Sequence, residues 1–104
     1  MSAEDKLERM RRTKEGWGKA DFEALYLGFG FEQKKDGIHD KYFFREFQLM
    51  ATVARHNKLP RGYAVTAVKL IDRLLAEQAR VAEEERLAQE ARKAIEAEEK
   101  SSEY

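Results

Sequence analysis

The stretch from Asp36 to Gly62, DGIHDKYFFREFQLMATVARHNKLPRG, limits the possible folds more than any other part of the chain. Asp36-Gly37 is a strong hairpin-turn signal, and segments that alternate with a period of two lie on both sides of it. Before the turn, Phe29 to Lys35 sets Phe29, Phe31 and Gln33 against Glu32 and Lys34. After it, Ile38 to Phe44 alternates Ile38, Asp40, Tyr42 and Phe44 with His39, Lys41 and Phe43. Both sets contain apolar residues, so the core-facing side stays open. Arg45 to Gln48 reads as a loop, and Leu49 to Arg55 as a third strand, from its β-compatible Thr52 and Val53 and its low charge. Three antiparallel strands in sequence order follow.

Helical patterns flank this meander. Phe22, Leu25, Tyr26 and Phe29 fall at i, i+3, i+4 and i+7, a single helical stripe from Lys19 to Leu27, and Gly28 stands where a left-handed helix terminus favours glycine. Asn57 to Gly62 is a turn in which Pro60 stiffens the approach to a helix starting near Tyr63. The core share of that helix carries Val65, Val68, Leu70, Ile71, Leu74 and Leu75. At the amino end, Ser2 with Asp5 three residues on resembles a helix cap. Ala3 to Arg12 has only Leu7 and Met10 as apolar anchors, so this is a short helix that depends on packing or a partner for order. Two glycines in Thr13–Gly18 break it, and Trp17 tacks this linker to the domain.

The organisation is therefore an amino-terminal helix and linker over residues 1–18, an α+β domain over 19–75 and a charged helical extension over 76–104. Two helices on one face of a three-stranded antiparallel sheet make a two-layer α+β domain. The extension consists mainly of strong helix formers, with Glu83–Arg86, Arg86–Glu90, Arg92–Glu96 and Glu96–Lys100 at ion-pair spacing. Leu74, Val81, Ala88 and Ile95 recur every seven residues, but Glu, Gln and Arg hold most companion positions, so a two-residue coiled-coil seam is missing. An exposed, pair-stabilised helix and a partner-binding or self-associating helix both fit.

Composition narrows the function classes. With 104 residues, 42% hydrophobic and 38% charged, the chain has material for one small core. It has no cysteine, which removes disulfides and thiolate metal sites. No apolar run approaches the roughly 20 residues that cross a bilayer, and the charged start MSAEDKLERMRR is no secretion signal. A cytoplasmic protein with no membrane role is expected. Residues 1–75 hold 15 Lys and Arg against 11 Asp and Glu, a net +4, and residues 76–104 hold 5 against 9, a net −4. The front of the chain is open to polyanions, with a modest electrostatic footprint.

Both histidines, His39 and His56, follow a turn or close a strand. Cleaving RNA without a metal needs a base for the 2′-hydroxyl, an acid for the leaving oxygen and cations around the phosphorus. His39 could move the protons alone or share them with His56. Lys34, Lys35, Lys41, Arg55, Lys58 and Arg61 could hold phosphates, and Gly62 at a helix start leaves backbone amides as a further anion site. Glu32, Asp36, Asp40 and Glu46 interleave with these cations, so an ordinary solvated face fits as well. No metal site and no cofactor are expected, since the two histidines lack ligand spacing and no carboxylate cluster accompanies them.

The words Gly28-Phe29, Gly37-Ile38-His39, Ala51-Thr52-Val53-Ala54-Arg55-His56 and Leu59-Pro60-Arg61-Gly62 resemble the HicA toxin family over roughly Lys19 to Leu75. That resemblance implies an α-β-β-β-α fold of the double-stranded-RNA-binding-domain type. It also implies an mRNA-cleaving endoribonuclease, the toxin of a type II toxin–antitoxin system, with a HicB-like antitoxin as partner and His39 as the catalytic residue. Gly-Ile-His stands here where the family pattern has Gly-Ser-His, and Ala-Arg-His where it has Pro-Arg-His. A non-catalytic RNA- or protein-binding domain of the same fold is the alternative.

Overall fold

A computed structural model describes residues 2–102, with side chains through residue 99. The elements run α1 (Ala3–Arg12), α2 (Lys19–Gly28), β1 (Glu32–Asp36), β2 (His39–Phe44), a 3-10 turn (Arg45–Phe47), β3 (Leu49–Ala54) and α3 (Arg61–Ser102). The strands form one antiparallel sheet in the order β1-β2-β3. This is the expected α+β arrangement, a three-stranded antiparallel sheet with helices on one face. Two compact units divide the chain, Met1–Leu74 and Leu75–Tyr104.

In the first unit, the register decides which face of the sheet is buried. Gln33, Tyr42 and Ala51 lie side by side across the three strands, as do Lys35, Asp40 and Val53. Tyr42, Ala51 and Val53 are buried, so this is the inner face. Tyr42 stacks on Tyr26 of α2 with ring centroids 4.9 Å apart, and Phe31 meets Tyr26 edge-on at 5.1 Å. Gln33 Nε2 donates to the Tyr42 hydroxyl at 2.9 Å, which satisfies that buried group. Ala64, Ala67, Ile71 and Leu74 of α3 complete the core.

The amino-terminal helix belongs to this core. Ser2 Oγ accepts the Asp5 amide at 3.1 Å as the cap signal predicts, and both apolar anchors, Leu7 and Met10, are buried. Arg11 reaches α3 through a two-pronged bond to Asp72, and Lys6 pairs with Asp21 of α2 at 2.9 Å. Packing supplies the order that the helix's own composition lacks.

Three local expectations are corrected. Gly28 is not the left-handed terminus: it stays helical, and an added Cβ there would collide with the Ala3 methyl. The left-handed glycine is Gly30, at φ 92°, so β1 begins at Glu32 rather than Phe29. The hairpin turns about Gly37-Ile38 rather than Asp36-Gly37, because Asp36 and His39 are register partners. Gly37 has φ 63° at the first central position, the place where a two-residue turn of the II′ kind needs glycine. α3 opens at Arg61, near Tyr63 as expected.

Acid should weaken the ties between the helices. Burial raises the Asp21 carboxyl, but the Gly18 amide and Lys6 outweigh it, and the net pKa lies below the ordinary value. Asp72 is also lowered, chiefly by its hydrogen bond from Arg11. A depressed carboxyl contributes stability that is whole above its unfolded pKa, ~3.9, and is lost as pH falls through the folded one. Chemical denaturation from pH 5 down to pH 2 should show this loss, and Asp72→Asn should flatten part of it.

In the second unit, α3 continues with no buried side chain among the described residues. The expected Glu83–Arg86 and Arg86–Glu90 pairs form, at 2.5 and 2.6 Å. Arg80 adds pairs with Glu77 and Glu84, each at 2.8 Å. Arg92 and Glu96 are not bonded to each other, and the Lys100 side chain lies outside the described residues. Leu87 and Ile95 are exposed. Truncation after Glu77 removes little buried apolar surface, so the melting temperature should move by no more than about 3 °C. A larger drop would show that Val81, Leu87 or Ile95 packs against something in solution.

Candidate functional site

Because Asp40 and Tyr42 point inward, their neighbours His39, Lys41 and Phe43 stand on the opposite face of the sheet, each half-buried. On that same face the register sets Asp36 against His39, Lys34 against Lys41 and Glu32 against Phe43. From β3, Ala54, Thr52 and Met50 lie across from the same three β2 residues. The outcome is an open face with an acid–imidazole pair at one end, a lysine pair in the next rung and an apolar Phe43–Met50 pair beyond.

Lys41 Nζ lies 2.8 Å from Asp36 Oδ2. This hydrogen bond, with the charges of Lys41, Lys34 and His39 adding to it, holds the Asp36 carboxyl below the usual range. Asp36 therefore stays ionised well into acid. Asp36 and His39 are register partners, with no ion pair between them among the described residues. Lys34 makes no ion pair within the described residues, so its charge is available to a ligand.

The other cations read from the sequence go elsewhere. Arg55 Nε donates to Asp40 Oδ1 at 2.9 Å, and Asp40, 5% exposed, is the buried acid of the core. Lys35 is Asp40's register partner on the inner side, at the β1 edge. Arg55 and His56 line a hollow of about 290 Å³ together with Gly37 and Ile38 of the hairpin tip. His56 is exposed, and its carbonyl accepts the Lys19 amide at 2.8 Å. Lys58 sits in the turn and Arg61 opens α3, both exposed and without an ion pair among the described residues. The structure thus brings Lys34, His39 and Lys41 together on the outer face, puts Arg55 and His56 beside the hairpin tip, and leaves Lys35, Lys58 and Arg61 apart from His39's rung.

Asp36 is the residue that sequence reasoning missed, having taken it for the corner of the turn. Reading Gly37-Ile38 as the turn centre would have placed it across from His39. Phe43 is the second, since its outward position follows only once Tyr42 is known to be core.

The fold and this face define a two-layer α+β domain with an open sheet surface. The chain matches no protein-family model, no curated protein and no solved structure. No helix among the described residues is long and apolar enough to cross a membrane.

Proposed function

We propose that the chain is a metal-independent endoribonuclease of the HicA kind that cleaves mRNA in the cytoplasm, the toxin of a pair with a HicB-like antitoxin. The observation that carries this reading is His39 on an open sheet face, opposite the Asp36 carboxylate and one rung from Lys34 and Lys41. Neutral His39 takes the proton of an RNA 2′-hydroxyl, and the freed oxygen attacks the neighbouring phosphorus. The bond from phosphorus to the 5′-oxygen breaks as that oxygen receives a proton from the imidazolium or from water. A 2′,3′-cyclic phosphate and a 5′-hydroxyl result. Asp36 stabilises the imidazolium between the two transfers, and the lysine ammonium groups offset the charge that grows on the phosphoryl oxygens.

The lysines divide the work. Lys34→Ala should weaken RNA binding and reduce its salt slope by about one phosphate contact, ~0.7 for a single strand. Lys41→Ala should change binding less, because Asp36 already takes up part of its charge. Filter binding over a salt series measures both.

Ile38, 76% exposed at the hairpin tip, and Met50, 64% exposed on the sheet face, favour a second reading. Apolar side chains so displayed suit a binding surface, and a non-catalytic RNA- or protein-binding domain would use the same face. Induced expression separates the two. Under the nuclease reading, the wild type arrests growth with loss of bulk mRNA and His39→Ala does neither. Arrest by both forms with mRNA intact would favour the binding domain.

A further inference from the structure

The two edges of the sheet differ. β1 (EQKKD) is charged at every position except Gln33, whereas β3 (LMATVA) has no charge and no proline. Folded proteins blunt an edge strand with charge, proline or a cover, and a strand with none of these is a template for another strand. β3 borders only β2, and along its free side Thr52 and Val53 line an open hollow of about 340 Å³ with Tyr63 and Thr66 of α3. The register tells which main-chain groups face that side. Asp36 and His39 bracket a two-residue turn, which makes them a hydrogen-bonded pair, and the bonding direction alternates along β2 from there. Asp40, Tyr42 and Phe44 therefore bond across to Val53, Ala51 and Leu49. Met50 and Thr52 turn their amides and carbonyls to the free edge, where no partner among the described residues meets them. Both side chains are exposed, Met50 by 64%.

We propose that β3 pairs antiparallel with β3 of a second copy of this chain. Charge selects the occupant. Pairing a neutral strand with itself sets no like charges opposite each other, and the chain's formal net charge is +0. With Met50 across from Thr52 of the second copy, the same count along the strands sets Glu46 across from the second copy's His56, two residues from its Lys58. Glu46, His56 and Lys58 are exposed and without an ion pair among the described residues. The other cations at the two ends are taken, Arg45 by Glu32 and Arg55 by Asp40. A parallel pairing would set Glu46 against Glu46, whereas the antiparallel two-fold brings acidic start to basic end, and does so twice. Met50 and Thr52 both lie on the outer face, so the two sheets join with their outer faces on one side. The pairing uses none of the groups assigned to cleavage, so it stands or falls separately from the nuclease reading.

The test is sedimentation velocity of the full chain over a series from micromolar to millimolar, with amide hydrogen exchange followed in parallel. Monomer should give way to dimer, and exchange at Met50 and Thr52 should slow as the dimer fills. Thr52→Pro removes an outward amide and leaves the bonds to β2 whole. Losing one hydrogen bond per copy should raise the dimer's dissociation constant about thirtyfold. Thr52→Lys sets a charge on the edge without altering the backbone and should leave a monomer over the same range, so the test survives if the proline variant fails to fold. A wild type that stays monomeric at every concentration overturns the proposal and leaves the edge to a strand of another protein. A dimer that both variants keep overturns it too, as does one whose formation leaves exchange at Thr52 unchanged, the result expected if the α3 extension pairs instead.

Discussion

Gly18→Ala should destabilise the protein by about 3 kcal/mol, a loss of roughly 12 to 24 °C in melting temperature for a domain of this size. Gly18 is buried with φ −127° and ψ −177°, extended backbone open to any residue, so strain is not the reason. Contact is. An added Cβ would overlap the carbonyl carbon and oxygen of Asn57, which are main-chain atoms without a rotamer to escape into. Two short bonds hold the segments together on either side: the Lys19 amide to the His56 carbonyl and the Leu59 amide to the Trp17 carbonyl, both 2.8 Å. Making room for a methyl group pulls both apart. The Gly18 amide itself is held by Asp21 Oδ2 at 2.9 Å, so the start of α2 would shift as well. Gly62→Ala, whose methyl meets nothing, is the control and should leave the melting temperature unchanged or slightly raised. Equal melting of the wild type and Gly18→Ala would show that the two segments do not touch in solution.

This contact also marks how far the sequence could be read. The α2 stripe of Phe22, Leu25 and Tyr26 and the meander were legible because helical and strand periodicity are local properties of neighbouring residues. Gly18 read only as a linker breaker, because its partner lies 39 positions away, at Asn57. Leu7 and Met10 looked too few to order a helix, and nothing local shows that α2 packs against it or that both residues join the core. Gly28 misled for the same reason: its missing side chain accommodates Ala3, far off in sequence, while the left-handed position falls on Gly30. At the candidate site His39 was legible as one of two histidines after a turn. Its carboxylate was not, since an Asp-Gly pair equally suits a turn centred one residue earlier. That one-residue difference moves Asp36 from the corner of the hairpin to the rung that faces His39.

His39→Ala should lower RNA cleavage by about 10²- to 10⁴-fold, the usual contribution of a positioned acid or base, while RNA affinity stays near the wild-type value. A neutral imidazole contributes little to phosphate binding, so rate and affinity should separate. Asp36→Asn should keep the binding face intact and lower the rate less than His39→Ala does, because it removes the charge that stabilises the imidazolium and not the group that carries the proton. It also frees Lys41, so RNA binding should tighten slightly. If cleavage is weak at every pH, Ile38 is the first position to change. Ile38→Ser shortens an exposed apolar side chain next to His39 and sets a hydroxyl there.

The most direct measurement is cleavage of a labelled RNA by purified full-length protein in excess EDTA, with the wild type and His39→Ala run side by side. The account predicts cyclic-phosphate and 5′-hydroxyl ends from the wild type and almost none from the variant. Full activity in His39→Ala, or wild-type activity that disappears with the chelator and returns with a divalent cation, would contradict it.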